Sequence, residues 1–152
     1  MTDTDHSARF SLAGRTALVT GAGRGLGWEI ARAMAQAGAH VLLNGRDLGV
    51  LSAKVDLLVS AGLSAAAAQF DVADRDVCDD WIVACDGTID ILVNNVGMRH
   101  RKPIPDTPPE KFTEMLDVNL TAAYGVARAV APGMAARGAG AIVNVTSIAG
   151  PF

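Results

Sequence analysis

Ala17-Leu18-Val19-Thr20-Gly21-Ala22-Gly23-Arg24-Gly25-Leu26-Gly27 is the stretch from which the rest of the chain can be read. Its apolar opening reads as a short buried strand. The glycines let the backbone turn tightly and leave room where a Cβ would obstruct a pyrophosphate. Ile30 to Ala37 then reads as an alanine-rich helix whose N-terminal N–H groups and positive dipole end face any phosphate in the turn. A glycine triplet alone is also compatible with an ordinary tight strand-to-helix turn. The context favours a ligand loop, because a second strand, His40-Val41-Leu42-Leu43, follows where a βαβ unit requires it.

Outward from this unit, the chain alternates between the two kinds of element. Strands are expected near 16–20, 40–44, 66–70, 89–94 and 140–146, and helices near 25–37, 47–61, 74–85 and 109–136. Apolar strands alternating with alanine-rich helices predict an α/β fold, a doubly wound parallel sheet of Rossmann-like type in the order 3-2-1-4-5. At Pro108-Pro109, the missing N–H groups suit the first turn of the last helix, with Thr107 as its N-cap.

Composition bounds the function classes. The length, 152 residues, suits one domain with a substantial core. No apolar run approaches the roughly eighteen residues needed to span a membrane. The polar start, with Asp3, Asp5, His6 and Arg9, does not resemble a secretory signal, so the cytoplasm is the expected compartment. A net charge of −3 without a basic cluster gives no reason to expect nucleic acid or membrane partners. Cys78 and Cys85 fall on one face of a predicted helix, about 10 Å apart. That is too far for a disulfide, and they read as buried thiols rather than metal ligands.

The loop is spaced Thr-Gly-x-x-x-Gly-x-Gly (Thr20, Gly21, Gly25, Gly27), and four later segments keep company with it. These are Asp71-Val72 after the third strand, Asn94-Asn95-Val96-Gly97 after the fourth, Asn119 within Asp117-Val118-Asn119-Leu120, and Ser147 after Ile142-Val143-Asn144-Val145-Thr146. Together they resemble the short-chain dehydrogenase/reductase family over nearly the whole chain, with Val96 where the family carries Ala. His100-Arg101-Lys102-Pro103 and Val41 to Asp47 look most like its gluconate 5-dehydrogenase branch.

The resemblance implies hydride transfer between a nicotinamide and an alcohol or carbonyl carbon. It places Thr20, Gly21, Arg24, Gly25, Leu26, Gly27, Asp71, Val72, Asn94, Val96 and Gly97 at the cofactor, with Asp71 at the adenine. Ser147 would hydrogen-bond the substrate oxygen, and Asn119 would anchor a water in a proton relay. The family's Tyr-x-x-x-Lys helix follows the serine and has no counterpart within 1–152. The only tyrosine, Tyr124, precedes the serine, is followed at the fourth place by Arg128, and reads as a packing residue. The expectation is therefore a dinucleotide-binding Rossmann domain over 1–152, incomplete at its C-terminus and inactive alone. A non-catalytic dinucleotide-binding fragment is the alternative. Family members are homo-oligomers, so the face of helix 109–136 carrying Met115, Leu116, Ala122, Val126 and Val130 is expected to be partly uncovered, as is the outer edge of strand five.

Cofactor choice follows from the end of strand two, Leu43-Asn44-Gly45-Arg46-Asp47. An acid there binds the ribose 2′-hydroxyl and repels a 2′-phosphate. Gly45 occupies that position, and Arg46 with Arg24 could hold a phosphate, which predicts NADP, with NAD as the alternative. The rival reading makes Asp47 the ribose acid rather than the N-cap of the next helix, and Arg46 a solvated side chain. His100 and Arg101, on the loop facing the substrate side, would suit a sugar-acid carboxylate, or else form a plain basic surface loop.

Overall fold

The computed structural model describes residues 10–147. Five strands form one wholly parallel sheet: β1 (Thr16–Val19), β2 (His40–Gly45), β3 (Ala65–Gln69), β4 (Ile91–Asn94) and β5 (Ala141–Asn144), in the order β3-β2-β1-β4-β5. This is the expected order.

Alternation along the strands decides which helix covers which face, because successive side chains point to opposite sides. Ala17, Val19, Val41, Leu43 and Val93 face α1 (Gly25–Gln36) and α2 (Leu48–Ser60), meeting Ala31, Ala35, Leu51 and Leu58. Leu18, Leu42 and Leu92 face the other way, toward α3 (Arg75–Val83) and α5 (Ala122–Arg137), where they meet Cys78, Ile82, Val126, Val130 and Met134. Each fully buried Leu or Val contributes about 1.5–3 kcal/mol, so the sheet is held from both sides by its own alternation.

Two features close the N-terminal edge of the sheet. Asp90 accepts the Thr16 amide at 2.9 Å and lies 3.7 Å from Arg15 and 3.5 Å from Arg137. Arg137 also donates to the Ile89 carbonyl at 2.6 Å, which ties the end of α5 to the start of β4. Gly133 of α5 packs on Gly87 so closely that a Cβ there would stand 2.8 Å from the Gly87 Cα.

Several expectations are corrected. The single helix over 109–136 is two α-helices, α4 (Pro109–Leu116) and α5, joined by one π turn, Asp117–Thr121. The wider turn carries Asn119, whose amide is held at both ends by the backbone of Met98. Thr107 does not cap α4. Pro108 occupies that position, and the Thr107 hydroxyl donates to the Pro103 carbonyl at 3.1 Å. Cys85 lies just beyond the end of α3, so only Cys78 is a fully buried thiol; burial, then Asp79, push its pKa up to about 11.

Tyr124 is not packed but 66% exposed. Ala122, Val126 and Val130 are buried against the sheet, not uncovered. Leu116 of that face is exposed as expected, and Phe112, Leu120 and Tyr124 are the other large apolar side chains left in the open from α4 to α5. The β5 expectation agrees with the structure, with Ile142, Val143 and Val145 all exposed.

Candidate functional site

The C-terminal edge of the sheet carries a row of polar residues at the ends of apolar strands: Thr20 after β1, Asn44 in β2, Asn94 in β4 and Asn144 in β5. Backbone groups beyond a strand's last ladder bond need partners, and this row supplies them. Thr20 is 1% exposed. Its hydroxyl donates to the Val93 carbonyl and accepts the amides of Asn95 at 2.9 Å and Val96 at 3.2 Å. Asn44 donates to the carbonyls of Ala68 and Phe70, both at 3.0 Å, and so fastens β2 to β3. Asn94 donates to Asn144 Oδ1 at 3.0 Å and to the Ala123 carbonyl at 3.1 Å, joining β4, β5 and α5. Thr20 and Asn94 therefore hold the strand ends that carry the site, as buried braces.

Above this row sits the glycine turn. Gly21 and Gly25 have φ of +65° and +56°, the left-handed region that favours glycine. Their surroundings differ. A Cβ on Gly21 would stand 3.2 Å from Asn95 Nδ2 and Val96 Cγ2, so this glycine fits the turn against the end of β4. A Cβ on Gly25 would meet nothing within 4 Å, so this is the glycine that leaves space open. Gly27 packs hardest. A Cβ there would run into the Gly21 carbonyl oxygen and stand 2.5 Å from Asn95 Nδ2. Asn95 in turn donates to the Thr20 carbonyl at 3.0 Å.

α1 begins at Gly25 with no side-chain cap and no acid in its first turn. Every helix start has N–H groups without intrahelical partners. Here the N-cap residue, Arg24, makes no side-chain cap bond to them, and Leu26 is 60% exposed beside them. Three features therefore fit a pyrophosphate: an uncapped N-terminus, a positive dipole end and open space at Gly25.

At the end of β2, Asp47 accepts the Val50 amide at 3.1 Å and is the N-cap of α2. This favours the capping reading over the ribose-acid one. A Cβ on Gly45 would stand 3.3 Å from Leu51 Cδ2, so an acid there would have to move a buried leucine. Arg46 and Arg24 are both exposed. Arg46 Nη1 lies 3.6 Å from Asp71 Oδ2. Val72 is buried behind Asp71 and lines a small cavity with Thr20, Asn94, Val96 and Val118.

On the far side of the cleft, Gly97 approaches Asn119, and the Asn119 amide accepts from the Met98 N–H at 2.6 Å and donates to the Met98 carbonyl at 3.0 Å. This fixes the start of the loop bearing His100, Arg101 and Lys102. His100 Nε2 is buried and has no hydrogen-bond partner, whereas Arg101 and Lys102 are exposed. Ser147 follows β5 on the extended segment after Asn144, at the same edge of the sheet. A wider open groove of about 560 Å³ lies between the start of α3 and α4, lined by Arg75, Glu110, Glu114 and Asp117. Its acidic lining sets it apart from the glycine turn.

Sequence reasoning passed over Asn44, Asn95 and Asn144, the polar partners that fasten the strand ends. The available signal was an asparagine closing each apolar run, Val41-Leu42-Leu43-Asn44 and Ile142-Val143-Asn144.

The fold is Rossmann-like, with its glycine turn at the C-terminal edge of β1. The chain belongs to the short chain dehydrogenase family, whose sequence pattern matches residues 15–152. It is 40% identical over 146 residues to the gluconate 5-dehydrogenase of Gluconobacter oxydans, covering 94% of this chain and 57% of that protein. A gluconate 5-dehydrogenase structure from Burkholderia cenocepacia in complex with NADP and tartrate superposes with a TM-score of 0.87 at 39% identity, over 93% of this chain and 56% of that one. A 7α-hydroxysteroid dehydrogenase complexed with NADH and 7-oxo glycochenodeoxycholic acid gives 0.90 at 32% identity, over 96% and 58%. The chain thus spans little more than half the length of these relatives. Among the described residues no helix is long and apolar enough to cross a membrane.

Proposed function

We propose that this chain is the nucleotide-binding part of an NADP(H)-dependent oxidoreductase acting on an alcohol or carbonyl substrate, with a sugar acid such as gluconate as the substrate class. The observation that carries the reading is the uncapped start of α1 beneath an open glycine turn. The NADP-bound gluconate 5-dehydrogenase relative supports the choice of cofactor and substrate.

In this reading the N–H groups of Gly25, Leu26 and Gly27 receive the pyrophosphate. Arg24 and Arg46 take the 2′-phosphate, which Gly45 does not repel. Asp71 and Val72 border the adenine, and Val96 and Gly97 the inner part of the cleft. When bound, NADP(H) supplies or accepts the hydride. The Ser147 hydroxyl holds the substrate oxygen. The Asn119 side chain is committed to Met98, so its role is to fix the loop that faces the substrate. His100 and Arg101 on that loop meet a carboxylate. The acid/base work belongs to the Tyr-x-x-x-Lys segment of the family. Tyr124 cannot substitute for it, because it is exposed on α5 and Arg128, four residues on, is paired with Asp79 at 2.6 Å.

The test is a substrate panel assayed with NADP on the enzyme carrying the Tyr-x-x-x-Lys segment. Gluconate is expected to be oxidised in preference to uncharged polyols. Arg101→Ala should raise its KM by about tenfold, the worth of one charge-assisted hydrogen bond, and leave that for NADP unchanged. Equal use of charged and uncharged substrates would contradict the sugar-acid assignment. No NADP-dependent oxidation of any alcohol would leave the non-catalytic reading in its place.

A further inference from the structure

The end of β2 and the end of β3 meet at an ion pair that the cofactor reading alone does not explain. The register pairs Gly45 with Gln69, so Arg46 and Asp71 leave adjacent strands at the same edge. Both are fixed in place by other contacts. Gln69 Nε2 donates to the Arg46 carbonyl at 3.2 Å, and the Phe70 N–H donates to the Gly45 carbonyl at 3.2 Å. Asp71 Oδ1 accepts the Ala73 N–H at 3.0 Å, which orients the carboxylate and leaves Oδ2 facing Arg46 Nη1 at 3.6 Å. The aspartate is thus held by its own turn, whereas the Arg46 side chain is 81% exposed and is anchored only through its backbone carbonyl and this ion pair.

We propose that Asp71 is a specificity-determining residue: through its contact with Arg46 it limits the preference of this cleft for a nucleotide bearing a 2′-phosphate over one with a free 2′-hydroxyl. The proposal rests on the NADP reading above. The physical reason is competition for one guanidinium. A phosphate taking Arg46 must draw it from a carboxylate that cannot follow, and must itself sit close to that carboxylate's charge. A 2′-hydroxyl carries no charge and leaves the pair intact. Any contact of Asp71 with the adenine is common to both nucleotides and cancels in their ratio. The site so built accepts either cofactor, with its preference trimmed by an acid on the neighbouring strand rather than by one at the end of β2.

The experiment is a fluorescence titration of the protein with NADPH and with NADH, for the unaltered chain, Asp71→Asn, Arg46→Gln and the double variant. Asparagine keeps the acceptor for the Ala73 amide, so the turn should survive, and circular dichroism melts check this. Asp71→Asn is expected to raise the NADH-to-NADPH ratio of Kd values about two- to fivefold, the scale of an exposed pair, and the effect should largely vanish in the Arg46→Gln background. An unchanged or lowered ratio in Asp71→Asn would overturn the proposal while leaving the NADP reading intact. So would an effect of equal size without Arg46. Failure of the unaltered chain to bind either nucleotide would overturn both.

Discussion

The 152-residue chain, purified and assayed alone with NADP and gluconate, is expected to show no turnover above background. Ser147 and the Asn119-braced loop lie at the C-terminal edge of the sheet, and in the proposed roles they would orient a substrate rather than act as its acid/base. The chain's only tyrosine is 66% exposed on α5, and Arg128, four residues on, is paired with Asp79. A positioned acid/base is worth roughly 10²–10⁴-fold in rate, and its partner lysine in this family also holds the cofactor. Supplying a continuing segment with Tyr-x-x-x-Lys should restore at least a hundredfold. Robust NADP-dependent oxidation by the 152-residue chain itself would refute the assignment of roles.

The second large effect is expected at the glycine turn. Gly27→Ala should cost about 1–3 kcal/mol, because its methyl would meet the Gly21 carbonyl and the Asn95 amide, which the Thr20 carbonyl holds in place. For a chain of this size that lowers Tm by about 3–10 °C, read by calorimetry. Nucleotide affinity should fall with it, since Gly21 and Asn95 shape the turn. Gly25→Ala separates the two causes. Its site is open, so only the left-handed backbone opposes it, at about 1–2 kcal/mol. Binding should nevertheless weaken by tenfold or more, because the new methyl enters the space reserved for phosphate. If Gly25→Ala bound nucleotide normally, the turn would have no ligand role. A Gly27→Ala protein with unchanged Tm would show that the turn is looser than its contacts indicate.

The contrast between these two glycines shows where a sequence stops being readable. The spacing Thr-Gly-x-x-x-Gly-x-Gly announces the turn, and the short apolar runs of β1, β2 and β4 between helices announce the parallel sheet, because both are local patterns. Asp47 as an N-cap is equally local. Which glycine packs and which stays open depends on Asn95, which lies in β4's extension and is distant in sequence. The π turn at Asp117–Thr121 was hidden for the same reason. A helix carrying Asn119 has ordinary propensities throughout, and only the Met98 backbone, brought alongside by the sheet, meets its amide. Thr107 failed as a cap because Pro103, four residues back, offered its carbonyl in a tight turn. Tyr124 and Leu120 carry apolar bulk that suggests burial, yet the face of α5 that meets the sheet is set by Ala122, Val126 and Val130.

The start of α1 and the end of β2 are together expected to receive an NADP molecule. The most direct test is a titration of the isotope-labelled protein with NADP, followed by amide resonances. The largest saturable shifts are expected at Gly25, Leu26, Gly27 and Arg46, with smaller ones at Asp71 and Gly97. Saturable binding whose shifts cluster elsewhere, for instance along the groove between α3 and α4, or no binding by a folded chain, would contradict it.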